Sequence, residues 1–379
     1  MPPRSVEQIS SSGAWRVGDD IGDRRFALVT GTQELGLEAG GCLGPVDVAY
    51  ETWGELDATS SNAVLVLHAL TGDSHVSGPA GPGHPSPGWW PGVIGPGAPI
   101  DTDRFFVVCP NVLGGCQGTT GPASVAPDGK RYGSRFPIIT IRDQVRVEEL
   151  LADHLGIGRW AAVVGGSMGG MRVLEWCAGT PERVERAVVI AVGAAATAEQ
   201  IGLCSLQVRA IRADPAFAGG DYYDNDEGPV HGMAIARGMG QISYRTASEL
   251  DQRFGREGQG VEQPLKGGRY SIESYLEHQG DTLPRRFDAN SYIVLSEAMN
   301  HHDVGRGRGG IAAALSAVKA PISVVGISSD RLYPVELQHE LARLLPSASG
   351  VGIVESSVGH DGFLVETGAI GAWIAEALA

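Results

Sequence analysis

Short apolar runs and helical spacings alternate along the first half of the chain. The run Ala63–Leu67 is continuously apolar, as expected of a strand that is buried on both faces of a parallel sheet. Residues 143–155 instead carry apolar side chains at the spacing of one helix face. Such alternation predicts a mainly parallel sheet with helices on both faces. Further strands are predicted at 26–29, 46–50, 105–108, 160–164 and 187–190.

The alternation stops near Gly193, and no run of buried β-branched residues follows until about Arg308. We interpret this part as a helical insertion, which we call the lid. The predicted division is a catalytic core at 1–194 and 309–379, and a lid at 195–308. Helices are predicted in the lid at 199–212, 249–254, 272–279 and 290–299. The core resumes with strands at 322–327 and 352–354 and helices at 335–345 and 370–378.

A candidate nucleophile stands in the turn Gly165-Gly166-Ser167-Met168-Gly169. This G-x-S-x-G pattern follows a predicted strand and precedes a helix, the context in which a serine is presented at a sharp, strained turn. The alternative is a glycine-rich turn that contains an incidental serine. With the strand and helix in place, the pattern favours an α/β-hydrolase fold: a mainly parallel sheet, helices on both faces, and a helical lid.

A serine hydroxyl needs a base, and the base needs a carboxylate to orient it. In this fold the acid and then the histidine follow the nucleophile along the chain. Asp330 follows one predicted strand and His360 follows the next, so both belong to the same edge of the sheet. Asp330 could instead be only a turn residue. His339 lies within a predicted helix, and His301 and His302 lie in the lid; no role is assigned to that pair or to Cys116.

Two backbone N–H groups are required to stabilise an oxyanion. One is expected from Met168, directly after the nucleophile. The other is expected from the loop His68-Ala69-Leu70-Thr71-Gly72 after an earlier strand, where we assign Leu70. The position of His68 in this loop favours a structural role for its side chain.

Composition narrows the class of protein. A net charge of −15 over 379 residues argues against a nucleic-acid binder, which needs a basic face. The five cysteines include no C-x-x-C pair, so neither a zinc site nor a disulfide framework is indicated. No basic segment with an apolar run opens the chain, and no apolar stretch is long enough to span a membrane. We therefore expect a cytoplasmic protein with no bound metal.

Eight segments together resemble the homoserine O-acyltransferase family, whose members acylate the hydroxyl of homoserine at the start of methionine biosynthesis. They run in the family's order from about residue 45 to the end of the chain, and together they are far more specific than the serine motif. The segments are YETWG at 50–54, HALTG at 68–72, NVLGGCQGTTGP at 111–122, FP at 136–137, IRD at 141–143, GGSMGGM at 165–171, DANSY at 288–292 and HDGFL at 360–364.

The resemblance implies acetyl-CoA as co-substrate, an acyl-serine intermediate, ping-pong kinetics and no bound cofactor. It also implies that Arg237 in the lid and Asp361 beside His360 bind L-homoserine, and that the chain forms a homodimer through the lid. Arg237 could instead be a solvated lid residue, and Asp361 could cap the final helix. A succinyl donor, serine as acceptor, or simple ester hydrolysis on the same three residues stay open as alternatives.

Overall fold

The computed structural model describes residues 11–31 and 33–379 of the chain. Residues 1–10 lie outside the described residues. They include the start of the predicted core and the segment for which the sequence predicts no signal peptide. The strands are β1 Arg25–Leu28, β2 Leu35–Gly36, β3 Cys42–Leu43, β4 Asp47–Trp53, β5 Ala63–Leu67, β6 Ile94–Gly95, β7 Ile100–Asp101, β8 Phe106–Pro110, β9 Ala162–Gly166, β10 Ala187–Ile190, β11 Ile322–Ile327 and β12 Val351–Val354. The helices are α1 Ile141–His154, α2 Met168–Gly179, α3 Ala198–Ala213, α4 Val230–Tyr244, α5 Ala247–Phe254, α6 Ser271–Thr282, α7 Ala289–Asn300, α8 Ile311–Ser316, α9 Val335–Leu344, α10 Gly362–Val365 and α11 Thr367–Leu378.

The central sheet has the strand order β1-β4-β8-β5-β9-β10-β11-β12. The pairs β1–β4 and β4–β8 are antiparallel, and every pair from β8 to β12 is parallel. Strand β5 is buried on both faces: Val64 and Val66 pack into one apolar cluster, whereas Leu65 and Leu67 pack into the other. The predicted α/β-hydrolase fold is confirmed.

The parallel strands bring four loops to one edge of the sheet. Because the carboxyl ends of parallel strands lie at the same edge, the segments after β5, β9, β11 and β12 are neighbours. Those segments carry Leu70, Ser167, Asp330 and His360 in turn. The topology therefore assembles residues that are far apart in the sequence.

The helices α3 to α7 are inserted between β10 and β11. The chain leaves and re-enters the core side by side, since Ala195 pairs with Asp303 and the Ala196 N–H donates to the His302 carbonyl at 2.9 Å. The His302 ring also lies 3.1 Å from the Gly193 carbonyl through Nε2, which assigns this lid histidine a structural contact. The division at 195–308 stays a prediction, and this pairing lies near both of its boundaries.

Three helices were not predicted, and α4 is the important one because it carries Arg237. Pro229 precedes it, and glycines at 232, 238 and 240 lower its helix propensity. Packing explains one of these glycines. A Cβ on Gly232 would lie 2.6 Å from the Ala210 carbonyl of α3, so glycine permits the close approach of the two helices. The other two unpredicted helices are the short α8 and α10.

The strand and helix around the candidate nucleophile differ slightly from their predicted bounds. The predicted strand 160–164 is observed as β9 at Ala162–Gly166, and Trp160 forms only an isolated bridge to Val184. The helix begins at Met168 rather than at 171. Strand and helix thus meet directly at Ser167, and glycine, which is a weak strand and helix former, belongs to both elements there.

In the part of the chain that the structure describes, no helix is both long and apolar enough to cross a bilayer. The cysteines at 42, 109, 116, 177 and 204 are free thiols.

Candidate active site

Ser167 occupies the tight turn between β9 and α2. Its φ of 56° and ψ of −125° place a non-glycine residue in a sparsely populated backbone region, which costs about 1–3 kcal/mol. The Ser167 N–H donates to the Ile190 carbonyl at 3.0 Å, which fixes the turn to the neighbouring strand. A Cβ on Gly169 would lie 2.1 Å from the Leu67 carbonyl, and one on Gly165 would lie 2.7 Å from Gly169. The glycines of the motif are therefore required by close backbone approach.

Ser167, His360 and Asp330 form one hydrogen-bonded chain. The Ser167 Oγ lies 2.9 Å from His360 Nε2, and His360 Nδ1 lies 2.6 Å from Asp330 Oδ2. The other Asp330 oxygen accepts from the N–H groups of Leu332 and Tyr333 at 2.8 and 2.9 Å. All three side chains are buried. This order of hydroxyl, imidazole and carboxylate is the arrangement that can activate a serine.

The surroundings of His360 favour its role as a base. Burial by itself lowers the pKa of this imidazole, but the charge of Asp330 and its hydrogen bond together raise that pKa above the ordinary value of histidine. The Tyr333 ring stacks on the imidazole at 5.0 Å between centroids, and the Phe363 ring lies 5.3 Å away. These contacts leave the imidazole between Asp330 and Ser167.

One expected oxyanion donor directly follows Ser167, and the other lies in the wall of the same cavity. Met168 opens α2, so its N–H is one of the groups that a helix leaves without an internal partner. Leu70 lies in the loop after β5 and lines the same cavity as Ser167. Within the described residues, neither of these two N–H groups donates to a backbone or side-chain acceptor. Both are thus available to an oxygen that develops negative charge near Ser167.

The side chain of His68 supports the donor loop, as expected. Its Nε2 accepts from the Val112 N–H at 3.1 Å, and its Nδ1 lies 2.8 Å from the Ala69 carbonyl. Burial, and then the nearby Arg172 guanidinium, lower the pKa of His68 to about 3, so the ring stays neutral. Arg172 also donates to the His68 carbonyl and pairs with Glu148 at 2.7 Å. The loop is therefore fixed from both sides.

A cavity of about 220 Å³ connects the core and the lid at this point. Its walls include Ser167 and His360 together with Arg237 and Asp361. The volume is below the ~300–1,000 Å³ that drug-sized ligands occupy. It therefore suits an amino acid and a small acyl group, whereas the nucleotide part of a coenzyme would have to lie outside.

Two charged groups in the cavity could hold an amino acid. Arg237 is half-buried, and among the described residues its guanidinium makes no hydrogen bond or ion pair. Asp361 lies beside His360, and its Oδ2 is 3.2 Å from Arg245 Nε. Burial raises the pKa of Asp361, and the charges of Arg245, His360 and Arg237 oppose that rise. A cation without an ion-pair partner among the described residues and a half-buried carboxylate thus lie in one cavity.

The comparisons with known proteins agree with this geometry. The alpha/beta hydrolase fold family matches residues 62–367. A homoserine O-acetyltransferase of Thermobifida fusca (strain YX) is 59% identical over 372 residues, which cover 98% of each chain. The crystal structure of homoserine O-acetyltransferase from Bacillus anthracis is similar at a TM-score of 0.85 and 28% identity, over 94% of this chain and 97% of that one.

The chain belongs to the homoserine O-acetyltransferase family. Its membership confirms the resemblance that the eight sequence segments indicated, and it confirms that the chain is an acyltransferase-type enzyme on an α/β-hydrolase fold.

Similarity of shape alone does not separate transfer from hydrolysis. The crystal structure of esterase E22 is similar at a TM-score of 0.84 and 28% identity, over 94% of this chain and 99% of that one. This value is almost the same as that for the Bacillus anthracis acetyltransferase. The fold can serve either reaction, so the side chains in the cavity decide which acceptor is used.

Three residues of the site were not predicted from the sequence. Tyr333 packs on His360, and Arg245 pairs with Asp361. Arg286 is half-buried in the cavity wall and donates to the Thr71 carbonyl at 2.7 Å, which ties the lid to the donor loop. In the sequence, Arg286 lies close to the family segment at 288–292, and Arg245 lies close to Arg237. Proximity in the sequence does not show which side chains point into the cavity.

One group of residues has the composition of a metal site. Ligand atoms of Asp23, Glu51, His75 and His84 lie within 4.8 Å of one another. Each buried member already has a protein partner there: Glu51 accepts from Ser74 at 2.7 Å and lies 2.9 Å from His75 Nδ1, and His84 Nε2 accepts from the Asp23 N–H at 3.2 Å. The group is therefore best described as a hydrogen-bond network behind the donor loop.

Cys116 lies outside the cavity. Its thiol is buried, and burial raises its pKa well above the ordinary value. A neutral, buried thiol is a poor nucleophile, so the structure gives Cys116 a packing role.

Proposed function

We propose that the chain transfers the acetyl group of acetyl-CoA to the hydroxyl of L-homoserine through an acyl-serine intermediate, in the first committed step of methionine biosynthesis. The observation that carries the proposal is the pair of opposite charges, Arg237 and Asp361, in the cavity that contains Ser167 and His360. An esterase needs no such pair, whereas an amino-acid acceptor needs a partner for each of its two charges.

In the first half-reaction, Ser167 Oγ attacks the carbonyl carbon of the thioester while His360 Nε2 takes the hydroxyl proton. The negative charge moves to the carbonyl oxygen, which accepts hydrogen bonds from the N–H groups of Leu70 and Met168. The C–S bond then breaks, and His360 returns the proton to the departing CoA sulfur. Asp330 stabilises the imidazolium that exists between these two transfers.

In the second half-reaction, homoserine enters the cavity after CoA has left. Arg237 pairs with its carboxylate and Asp361 with its ammonium, so the side-chain hydroxyl is directed at the acyl carbonyl. His360 removes the hydroxyl proton, the oxygen attacks the acyl carbon, and the bond to Ser167 Oγ breaks as that oxygen regains the proton. O-acetylhomoserine leaves, and the serine is restored.

Water is the competing acceptor, and the lid supports transfer over hydrolysis. Residues of α3 and α4, together with Arg286, form part of the cavity wall. A narrow, covered approach admits a thin acyl-pantetheine arm and excludes bulk water from the acyl-enzyme. The lid at 195–308 is therefore part of the proposed mechanism.

We also propose a homodimer formed through the lid. Ile201 and Leu206 of α3 and Ile235 and Ile242 of α4 are exposed large apolar side chains on two helices that pack together. Exposed apolar residues that are grouped in this way are typical of an interface. The cytoplasm stays the proposed location, because free thiols suit a reducing compartment.

Thiol release separates the candidate functions. The assay compares acetyl-CoA and succinyl-CoA, each with homoserine, with serine, or without an acceptor. We expect the fastest turnover with acetyl-CoA and homoserine. Full-rate release without an acceptor would replace the transferase with an esterase, and faster turnover with succinyl-CoA or with serine would replace the donor or the acceptor.

A further inference from the structure

The carboxylate of Asp361 is not an isolated group in the cavity. Its Oδ2 lies 3.2 Å from Nε of Arg245, the residue that ends α4. This N–H is not aligned on the oxygen, so the contact is an ion pair without a hydrogen bond. The side chains of Arg245 and Asp361 are only 17% and 18% exposed, so water screens the pair weakly.

A second carboxylate shares Arg245, but it has another partner. Glu249 Oε1 lies 3.4 Å from Arg245 Nη1 and 3.1 Å from Arg253 Nη1. Arg253 is about half-exposed and also lies over the Phe254 ring. Because Arg253 can balance Glu249, the charge of Arg245 is left for Asp361.

The backbone next to Arg245 is fixed to the loop that carries His360. A Cβ on Gly359 would lie 2.4 Å from the Tyr244 carbonyl, so the end of α4 and this loop are in direct backbone contact. One residue further on, Thr246 Oγ donates to the Ser357 carbonyl at 2.6 Å. The end of the lid helix therefore cannot shift without moving the histidine loop.

We propose that Arg245 is a positioning residue that holds the Asp361 carboxylate ionised and oriented toward the ammonium group of the acceptor. The inference rests on the proposed function, because it assumes an acceptor that carries an ammonium group. With Arg245 at Oδ2, the other Asp361 oxygen is the one that meets the ligand. Helix α4 then sets both ends of the acceptor site, since it carries Arg237 and Arg245 directly follows its last residue, Tyr244.

The charges around Asp361 explain why this help is needed. Burial raises the pKa of the Asp361 carboxyl, and the negative charge of Asp330 raises it further. Three positive charges lower this pKa: Arg245 has the largest effect, followed by His360 and Arg237. Without Arg245 the pKa of Asp361 would rise further. A protonated carboxyl has lost the charge that attracts an ammonium group, so acceptor binding would weaken as the pH falls.

The test compares Arg245→Met with Arg253→Met, a control that removes an equal charge from the same Glu249 but does not touch Asp361. Acyl-enzyme formation from acetyl-CoA alone reports the first half-reaction, and the KM for homoserine reports the acceptor. We expect Arg245→Met to raise this KM about tenfold or more, as an opposite charge near an Asp shifts its pKa by ~1–3. Acyl-enzyme formation should stay within about twofold. Arg253→Met leaves Arg245 beside Asp361, so it should raise the homoserine KM far less than Arg245→Met does.

A second acceptor, 4-hydroxybutanoate, separates a role of Arg245 in ammonium binding from a general structural role. This compound is homoserine without the ammonium group. Arg245→Met should use this acceptor as well as the wild type does, because Asp361 then has no charge to bind. Equal losses with both acceptors, or an unchanged homoserine KM, would overturn the role of Arg245. If the Met variant does not fold, the same comparison is made with Arg245→Lys, where a smaller rise limited to homoserine is expected. A wild-type enzyme that ignores homoserine would instead contradict the proposed function.

Discussion

Replacing Arg237 with methionine removes a charge from the cavity while keeping most of the side-chain stem. Among the described residues this guanidinium has no counter-ion. It also lies near a second cation, since the charge of Arg237 adds to the burial that lowers the pKa of Arg286. The substitution therefore breaks no hydrogen bond or ion pair among the described residues. It removes the weakest of the three charges that oppose the rise in the Asp361 pKa, so the main effect should fall on the ligand carboxylate.

The size of that effect follows from the interaction that is lost. A hydrogen bond between charged groups contributes about 1.5–3 kcal/mol, and a factor of ten in an equilibrium constant corresponds to about 1.4 kcal/mol. The kcat/KM for homoserine should thus fall by about 10- to 150-fold. Acyl-enzyme formation from acetyl-CoA should change by less than about twofold, because Arg237 is not assigned to that step. The melting temperature should not fall.

The assay pairs the variant with an altered acceptor. The compound 3-aminopropan-1-ol is homoserine without its carboxylate. In the wild type, the loss of this carboxylate should reduce kcat/KM by the same factor as Arg237→Met does with homoserine. In Arg237→Met, homoserine and 3-aminopropan-1-ol should be equally poor, because the partner of the carboxylate is absent.

Arg212→Met serves as the control. Arg212 also belongs to the lid, but it is half-exposed and pairs with Glu297 at 2.8 Å. This variant should keep the wild-type KM for homoserine and the preference for the carboxylate. If Arg237→Met retained the full preference for homoserine over 3-aminopropan-1-ol, the carboxylate site would have to lie elsewhere.

Three further predictions concern the base, its charge and the support of the donor loop. Asp330→Asn should lower kcat by about 10³–10⁴, because an amide cannot orient the His360 imidazole in the required tautomer; a steady-state rate within tenfold of the wild type would contradict the assignment. The rate of acyl-enzyme formation should fall as the pH drops through the pKa of His360, because the protonated imidazole cannot act as a base. Asp330 raises this pKa, so the acidic limb of the pH–rate profile should lie above the ordinary pKa of histidine. In Asp330→Asn the same limb should move to lower pH. Glu148→Ala should destabilise the fold by about 3–5 kcal/mol in urea unfolding, since it leaves the buried Arg172 charge unpaired; a loss below about 1 kcal/mol would show that the pair contributes little.

The sequence was sufficient for the parts of the site that local patterns encode. The serine turn is predictable because the close backbone contacts at Gly165 and Gly169 admit only glycine. Both glycines lie within two residues of Ser167, so a short sequence motif identifies the turn. Asp330 and His360 could be placed at one edge because each follows a short predicted strand that is rich in Ile and Val. Chain order within a parallel sheet then determines which edge they share.

The lid was predicted less well for a physical reason. Helix α4 is stabilised by its packing on α3 rather than by its own helix propensity. From the sequence alone, its glycines indicate a loop rather than a helix. The pairing of Arg245 with Asp361 spans more than a hundred residues, and no spacing rule reports which arginine of the lid turns toward the histidine loop. Such contacts follow from the tertiary arrangement of the helices.

The most direct test of the proposed chemistry is mass spectrometry of the protein after brief exposure to acetyl-CoA. The proposed chemistry predicts one acetyl group on the peptide that contains Ser167, and none on that peptide in Ser167→Ala. A chase with homoserine should remove the group and yield O-acetylhomoserine much faster than buffer alone releases acetate. A stable acetyl adduct on Ser167→Ala, or a homoserine chase no faster than hydrolysis, would contradict it.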